Sequence, residues 1–227
     1  MEHSHAGAAI AVAVADDHPV VRKGLAWLLE ESGRYRVEVE AGHGGGLVAA
    51  LEAESAVRLA IVDLYMPEMD GMATLAWLCA HRPQLRRVVF TARVEERTVL
   101  GCYRAGAQAV LQKDAAPGDL LAVLDTVMAG GIHHSPFSQQ VLLDNPDGLT
   151  PDERRRTRLR AQMTSRQLQV LEALCRSDDP TYETIAAELG VSRRTVESHG
   201  SELFEVFGVR SKTALVRSAL SLRLVDL

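Results

Sequence analysis

At 227 residues the chain has room for one large domain or two small ones, and 47% hydrophobic against 24% charged residues excludes a disordered or fibrous protein. Its longest apolar runs fall far short of a membrane span and its N-terminus lacks the apolar stretch of a signal peptide, so a cytoplasmic chain with no membrane contact is expected. Charge divides the chain: residues 1–149 carry 12 Lys+Arg against 19 Asp+Glu, net −7, while residues 150–227 carry 13 against 11, net +2, which permits nucleic-acid binding without a strong electrostatic footprint.

Met1 to Gly7 is polar and expected to be disordered, and His3 and His5 in such a tail carry no metal site. Ile10 to Ala15 reads as a strand ending at Asp16-Asp17-His18-Pro19. A helix over Val20–Glu31 shows Val21, Leu25, Leu28 and Leu29 on one face. Tyr35–Glu40 alternates like a second strand, Gly42–Gly46 reads as a loose connection, and Leu47–Glu54 as a helix. Leu59–Val62 is a third strand, Met72–His81 a helix stopped by Pro83, and Arg87–Phe90 a fourth strand ending at Thr91-Ala92. Glu95–Ala105 is a helix, Ala109–Leu111 a fifth strand ending at Gln112-Lys113-Asp114, and Pro117 opens a helix through Met128 closed by Gly130-Gly131. Strand and helix thus alternate five times over residues 1–131, which predicts an α/β fold: a doubly wound, five-stranded parallel sheet. Residues 132–162, with Pro136, Pro146, Gly148, Pro151 and the run Arg154-Arg155-Arg156, read as a linker whose arginines form a solvated face. From residue 163 the pattern is helical only, with helices at 165–175, 181–189, 193–206 and 211–223, a small all-α domain of four helices. Cys79, Cys102 and Cys175 match neither a zinc spacing nor a disulfide framework and read as buried, reduced thiols.

The informative stretch is Leu59 to Gly71, where an apolar run leads into Asp63 and Pro67 then forbids further strand pairing. Asp63 could simply cap its strand, since Asp is common at strand exits. Yet Asp16-Asp17, Asp63, Thr91 and Lys113 all fall at C-terminal strand ends, which in a parallel sheet point the same way and line the crevice where such folds bind ligands. Clustered carboxylates stay charged together only beside a cation, and all-oxygen ligands with room for water suit Mg²⁺. A carboxylate beside such an ion can attack a phosphoryl group to form an acyl phosphate, with the lysine and hydroxyl stabilising the equatorial oxygens.

With these residues in place, the first 131 residues resemble a response-regulator receiver domain, of flavodoxin-like fold, from bacterial two-component signalling. The matching pieces are Asp16-Asp17-His18-Pro19, Asp63 to Gly71, Thr91-Ala92 and Lys113. The resemblance implies that Asp63 accepts a phosphoryl group from a histidine kinase or a small acyl phosphate. It also implies that Asp16 and Asp17 arrange Mg²⁺ with Asp17 the direct ligand, that the Tyr65 backbone carbonyl completes the coordination, and that Thr91 and Lys113 bind the phosphoryl oxygens. One position departs from the family: three residues before the lysine, where an aromatic usually swings inward, stands Val110, which is stiff at χ1 and too short for that motion.

In the C-terminal part, a helix stopped by Gly190, a short turn and Ser192 as N-cap of the next helix make either a plain helical hairpin or a helix-turn-helix. The wider set Leu168–Leu174, Thr184–Leu189, Val191-Ser192, Thr195-Val196, His199, Phe207-Gly208-Val209 and Thr213-Ala214 is similar to the LuxR/FixJ-type effector domain, and Thr164-Ser165-Arg166-Gln167 resembles its usual opening, with Gln167 where Glu is customary. Ser192, Arg193, Arg194, Thr195, Ser198, His199 and Lys212 are the candidate DNA-contacting residues, the helix after Ser192 entering the major groove. This helix is unusual in carrying Glu197, Gly200, Glu202, Glu205 and Val206 where the family often places Lys, Asn or Arg. Carboxylates near a polyanion oppose binding, and Gly200 in mid-helix costs ~0.5–1 kcal/mol relative to Ala. The last helix carries Leu215, Val216, Ala219, Leu220 and Leu222, a stripe suited to its own core and, in the family, to pairing subunits.

The combined resemblance is to a NarL/FixJ-type response regulator. It implies a non-enzymatic, phosphorylation-controlled transcription factor whose partners are DNA, a histidine kinase and a second copy of itself. The acidic recognition helix raises the rival reading of a regulator that works mainly through protein contacts. A metal-dependent hydrolase on the same sheet would want a further catalytic acid and a substrate cap, and the second domain looks like neither.

Overall fold

The computed structural model describes residues 9–53, 56–176 and 180–225. Met1–Gly7, with His3 and His5, and Glu54 at the expected end of the second helix lie outside the described residues. The chain forms two compact units, residues 1–148 and 149–227.

The first unit is built on five parallel strands, β1 (Ile10–Ala15), β2 (Tyr35–Ala41), β3 (Leu59–Val62), β4 (Arg86–Thr91) and β5 (Ala109–Gln112), in the order β2-β1-β3-β4-β5. Helices α1 (Pro19–Glu31), α2 (Gly44–Glu52), α3 (Gly71–His81), α4 (Glu96–Arg104) and α5 (Pro117–Met128) make the crossovers. Successive strand residues face opposite sides of a sheet, so both sides bury apolar surface. Val12, Val14, Ile61, Val88, Phe90 and Leu111 pack with Leu25 and Leu29 of α1 and Leu120 and Leu124 of α5. Their neighbours face the other way: Ala13, Ala15, Ala60 and Val62 onto α2 and α3, and Val89 and Val110 onto Leu75 of α3 and Cys102 of α4. Because β1 and β3 are adjacent and the order reverses beside them, their C-terminal ends open the crevice that holds the carboxylates.

Three local expectations change. The glycines after β2 are the first turn of α2, not a loose connection: the His43 ring nitrogen caps the helix by accepting from Gly46 N–H at 3.2 Å. Gly44 N donates to Met69 O at 3.0 Å, and a Cβ on Gly44 would lie 2.7 Å from that oxygen, so this approach demands glycine. Cys79, read as buried, is exposed on the outer face of α3, while Cys102 and Cys175 are buried. Burial pushes the Cys102 thiol up to about 12 and the Cys175 thiol up to about 11.

The segment 132–162, read as a linker, carries two helices, each opened by a capping residue followed by proline. Helix α6 (Pro136–Asp144) is capped by Ser135 and belongs to the first unit, where Val141 packs on Val99 and Leu100 of α4. Helix α7 (Pro151–Gln162) begins with a Thr150–Glu153 capping box and belongs to the second unit, into whose core it sends Leu159.

The second unit continues with the four expected helices, α8 (Ser165–Leu174), α9 (Tyr182–Leu189), α10 (Arg193–Phe207) and α11 (Lys212–Ser221). Their buried faces, Val170, Leu171, Leu174, Ile185, Val196, Leu203, Phe207, Leu215 and Ala219, form one core with Leu159. Gly190 ends α9 at φ 64°, the left-handed conformation in which glycine pays no Cβ penalty, and Ser192 caps α10 by accepting from Thr195 N–H at 3.1 Å. Gly200 is buried in α10, and a Cβ there would sit 3.4 Å from Tyr182 Oη, the near edge of ordinary contact. Gly200→Ala is therefore expected to stabilise the helical unit by ~0.5–1 kcal/mol. Thermal unfolding checks this, and a lowered midpoint would show that Tyr182 does not yield.

Candidate functional site: the acidic crevice and the helix-turn-helix

Asp16 and Asp63 follow β1 and β3 directly and are 1% and 3% exposed. Asp63 N–H donates to Ala15 O at 2.8 Å and Asp16 N–H to Ala41 O at 3.0 Å, so the sheet ladder continues through both residues and fixes where their side chains start. Lys113, just past β5, bridges the two: its Nζ lies 2.7 Å from Asp63 Oδ2 and 2.8 Å from Asp16 Oδ2. Burial opposes the Lys113 charge, but hydrogen bonds to Asp16 and Asp63 outweigh it and hold its pKa above the usual lysine value. The other oxygen of Asp63, Oδ1, accepts from Leu64 N–H at 2.7 Å. Thr91, at the end of β4 beside β3, is fully buried, and its hydroxyl has no hydrogen-bond partner.

Asp17 is half-buried, and its Oδ1 is, among the described residues, the other buried side-chain oxygen without a hydrogen-bond partner. It lies 2.6 Å from the Nδ1 of the exposed His18, an ion-pair distance without hydrogen-bond geometry. Among the described residues, Asp16, Asp17, His18 and Asp63 offer ligand atoms all within 4.8 Å of one another. Three carboxylates and one lysine leave uncompensated negative charge, and an orphaned carboxylate oxygen faces it. That donor set fits a hard divalent cation. His18, directly after the two aspartates in sequence, brings its ring nitrogen to the exposed rim of that cluster. Tyr65 lies in the loop after β3 and is 57% exposed.

Two further residues shape the surroundings of Asp63. Asp70 caps α3 by accepting from Ala73 N–H at 2.8 Å. Gly71 opens that helix against the backbone of Asp63 and Leu64: its N–H donates to Leu64 O at 3.0 Å, and a Cβ would lie 2.1 Å from Asp63 O and 2.5 Å from Leu64 Cα. Val110 is 1% exposed, and its side chain belongs to a core patch with Leu64, Leu75, Val89, Cys102 and Ala107.

In the second unit six of the seven candidate DNA-contacting residues lie on α10 or at its N-cap and Lys212 opens α11, but several are engaged by carboxylates. Arg193 pairs with Glu197 one turn on, at 2.7 Å, and with Glu183 of α9, and both contacts raise its pKa. Glu202 contacts His199 Nδ1 at 3.2 Å and accepts from Gln167 Nε2 at 2.8 Å and Ser198 Oγ at 3.3 Å, and these contacts lower its pKa. Gln167 thus links α8 to the recognition helix from the position where the family customarily has Glu. Ser192 and Thr195 share a hydrogen bond at 2.8 Å, and Lys212 Nζ donates to Pro180 O at 3.2 Å. Arg194 is exposed and forms no ion pair among the described residues. Glu197 and Glu202 are therefore engaged within the domain, Glu197 by Arg193 and Glu202 by Gln167, Ser198 and His199.

Residues 12–125 match the family model of the response regulator receiver domain, and residues 161–219 that of bacterial regulatory proteins of the luxR family. The chain is 32% identical to the transcriptional regulatory protein UhpA of Escherichia coli K12, over 92% of this chain and 96% of that one. It is 28% identical to the transcriptional regulatory protein YdfI of Bacillus subtilis 168, over 92% and 94%. Among solved structures, RcsB of Salmonella typhimurium aligns with a TM-score of 0.60 at 22% identity over 93% of this chain and 99% of that one. The response regulator ChrA of a heme-sensing two-component system aligns at 0.51 and 25% identity over 95% and 98%. The chain belongs to the response-regulator family of transcription factors, with a receiver domain followed by a LuxR-type helix-turn-helix domain, and is not an enzyme. No helix among the described residues is long and apolar enough to cross a membrane.

Proposed function

We propose that this response regulator is switched by phosphorylation of Asp63 and that the switch controls DNA binding by α10. The observation that carries the reading is the placement of Lys113 between Asp63 and Asp16, beside two buried oxygens, Thr91 Oγ1 and Asp17 Oδ1, that have no hydrogen-bond partner. In the transfer, a carboxylate oxygen of Asp63 attacks phosphorus, the P–O bond forms and the bond from phosphorus to the histidine kinase's imidazole, or to a small acyl donor, breaks. Lys113 stays charged throughout and neutralises the phosphoryl oxygens, while the Thr91 hydroxyl is a ready donor to one of them. Asp16, Asp17, Asp63 and the Tyr65 carbonyl would hold Mg²⁺, which when bound offsets charge and orients the phosphoryl oxygens.

The modification adds about −1.5 to −2 charges beside Thr91 and Lys113. Pairing of two subunits would then place two α10 helices on half-sites one helical turn apart. Arg194, Thr195, Ser198, His199 and Lys212 carry DNA contact in this reading, and Arg193 joins them by exchanging a glutamate for phosphate. A second reading, a regulator acting mainly through protein contacts in the cytoplasm, draws on the engagement of Arg193, Ser198 and His199 by Glu197, Glu183 and Glu202. Gel-shift titration on genomic fragments, with and without acetyl phosphate and Mg²⁺, separates the two. Retardation that tightens on phosphorylation is expected, and no retardation in either state at micromolar protein would favour the second reading.

A further inference from the structure

The core patch around Val110 and the contact between α4 and α6 meet at two side chains. Val94, in the loop between Thr91 and α4, and Tyr103, on α4, each pack both against the patch of Leu64, Leu75, Val89, Cys102 and Val110 and against Val99, Leu100 and Val141. The segment 133–145 is attached to α4 at three places. At its start, Tyr103 Oη donates to His133 O at 2.6 Å and the Tyr103 ring meets His134 edge-on with centroids 4.8 Å apart. In its middle, Val141 sits on Val99 and Leu100. At its end, Asn145 Nδ2 donates to Glu96 Oε1, in the first turn of α4, at 2.9 Å. Burial pushes the Tyr103 phenol up to about 12, so it remains a donor across the physiological pH range.

We propose that α4 is an interaction surface whose partner in the unphosphorylated chain is the segment 133–145, and that Tyr103 is the aromatic positioning residue which couples it to Thr91 in place of one at 110. This rests on the reading of Asp63 as phosphoacceptor. Thr91 Oγ1 is buried without a partner, so a phosphoryl group on Asp63 offers it an acceptor, and the chain that follows Thr91 moves with it. Val94 then leaves both apolar clusters together, and Glu96 shifts away from Asn145. The clasp opens at its middle and its end, and Tyr103 loses its packing against the Val110 patch. No swing by residue 110 is needed, which is why a short, stiff valine is tolerated there.

Hydrogen exchange on the full chain tests this, with Mg²⁺ and beryllium fluoride as the phosphoryl analogue. The adduct is expected to slow exchange in peptides covering 63–70 and to speed it in 133–145. Tyr103→Phe keeps the ring and removes the hydroxyl, so without the adduct it should speed exchange at the start of that segment about fivefold, the loss of one net hydrogen bond. Peptides from β1 and β3 should exchange as in wild type, which shows the variant to be folded. Slowed exchange at 63–70 with 133–145 unchanged overturns the clasp and leaves Asp63 as acceptor. A response to Tyr103→Phe but none to the adduct also overturns it, because the contact is then structural only. If 63–70 does not respond, the acceptor assignment fails and the clasp with it.

Discussion

Incubation with acetyl phosphate and Mg²⁺ should add the mass of one phosphoryl group to the wild-type chain and none to Asp63→Asn. The substitution removes the nucleophilic carboxylate but keeps its shape. An amide at 63 has one acceptor oxygen where the carboxylate uses two, so it keeps the bond from Leu64 N–H and presents its NH2 to Lys113; the shape is nearly unchanged and the crevice should stay folded, with one charge fewer for Lys113 to balance. Chelating the divalent ion should suppress labelling of the wild type as well, because the remaining negative charge of Asp16 and Asp17 repels an incoming phosphate. Intact-mass spectrometry reads both results. Equal labelling of wild type and variant would assign the phosphoryl group to another residue.

Gly71→Ala should be the most disruptive single-methyl change at the site. Its Cβ would fall 2.1 Å from Asp63 O and 2.5 Å from Leu64 Cα, and both obstacles are backbone of the very loop that presents the acceptor. Neither can turn aside as a side chain would, so the first turn of α3 must move off β3. Overpacking of a well-filled region costs about 1–3 kcal/mol, and the upper end applies where backbone must yield. The expected outcome is a receiver transition lowered by that amount in denaturant, together with slower acyl-phosphate formation as Asp63 loses its register with Lys113. A variant that unfolds and labels like wild type would mean that α3 shifts freely.

Much of the first unit was legible because each signal was local. The apolar run into Asp63, the doubled aspartate after β1 and the lysine after β5 are strand-end residues, and a parallel sheet converts shared strand polarity into spatial convergence. The helix-turn-helix was readable from the left-handed glycine and the serine cap that punctuate it. What escaped depended on partners distant in sequence. Nothing near Gly44 announces that Met69 O will press against it, so three consecutive glycines looked like slack chain. Cys79 follows the apolar run of α3 yet falls on its outer face, since a helix has one side for solvent. The contact of Glu202 with Gln167 needs α8, and that of Arg193 with Glu183 needs α9, so neither is visible along α10 itself. The residues 132–162 looked like a linker because proline and charge dominate, whereas Pro136 and Pro151 each mark the first turn of a helix.

The division of that connecting stretch has a consequence for modularity. Helix α6 is fastened to the receiver and α7 contributes Leu159 to the helical core, so neither is a neutral spacer. The seam at which one half could be exchanged for that of another regulator is thus narrow, near the peptide bond joining Gly148 to Leu149. A chimera joined at residue 132 would strip α4 of its covering helix, and one joined at 163 would leave the helical half with a hole where Leu159 had been. Recombination between genes of this architecture would then be tolerated within a few codons and penalised on either side.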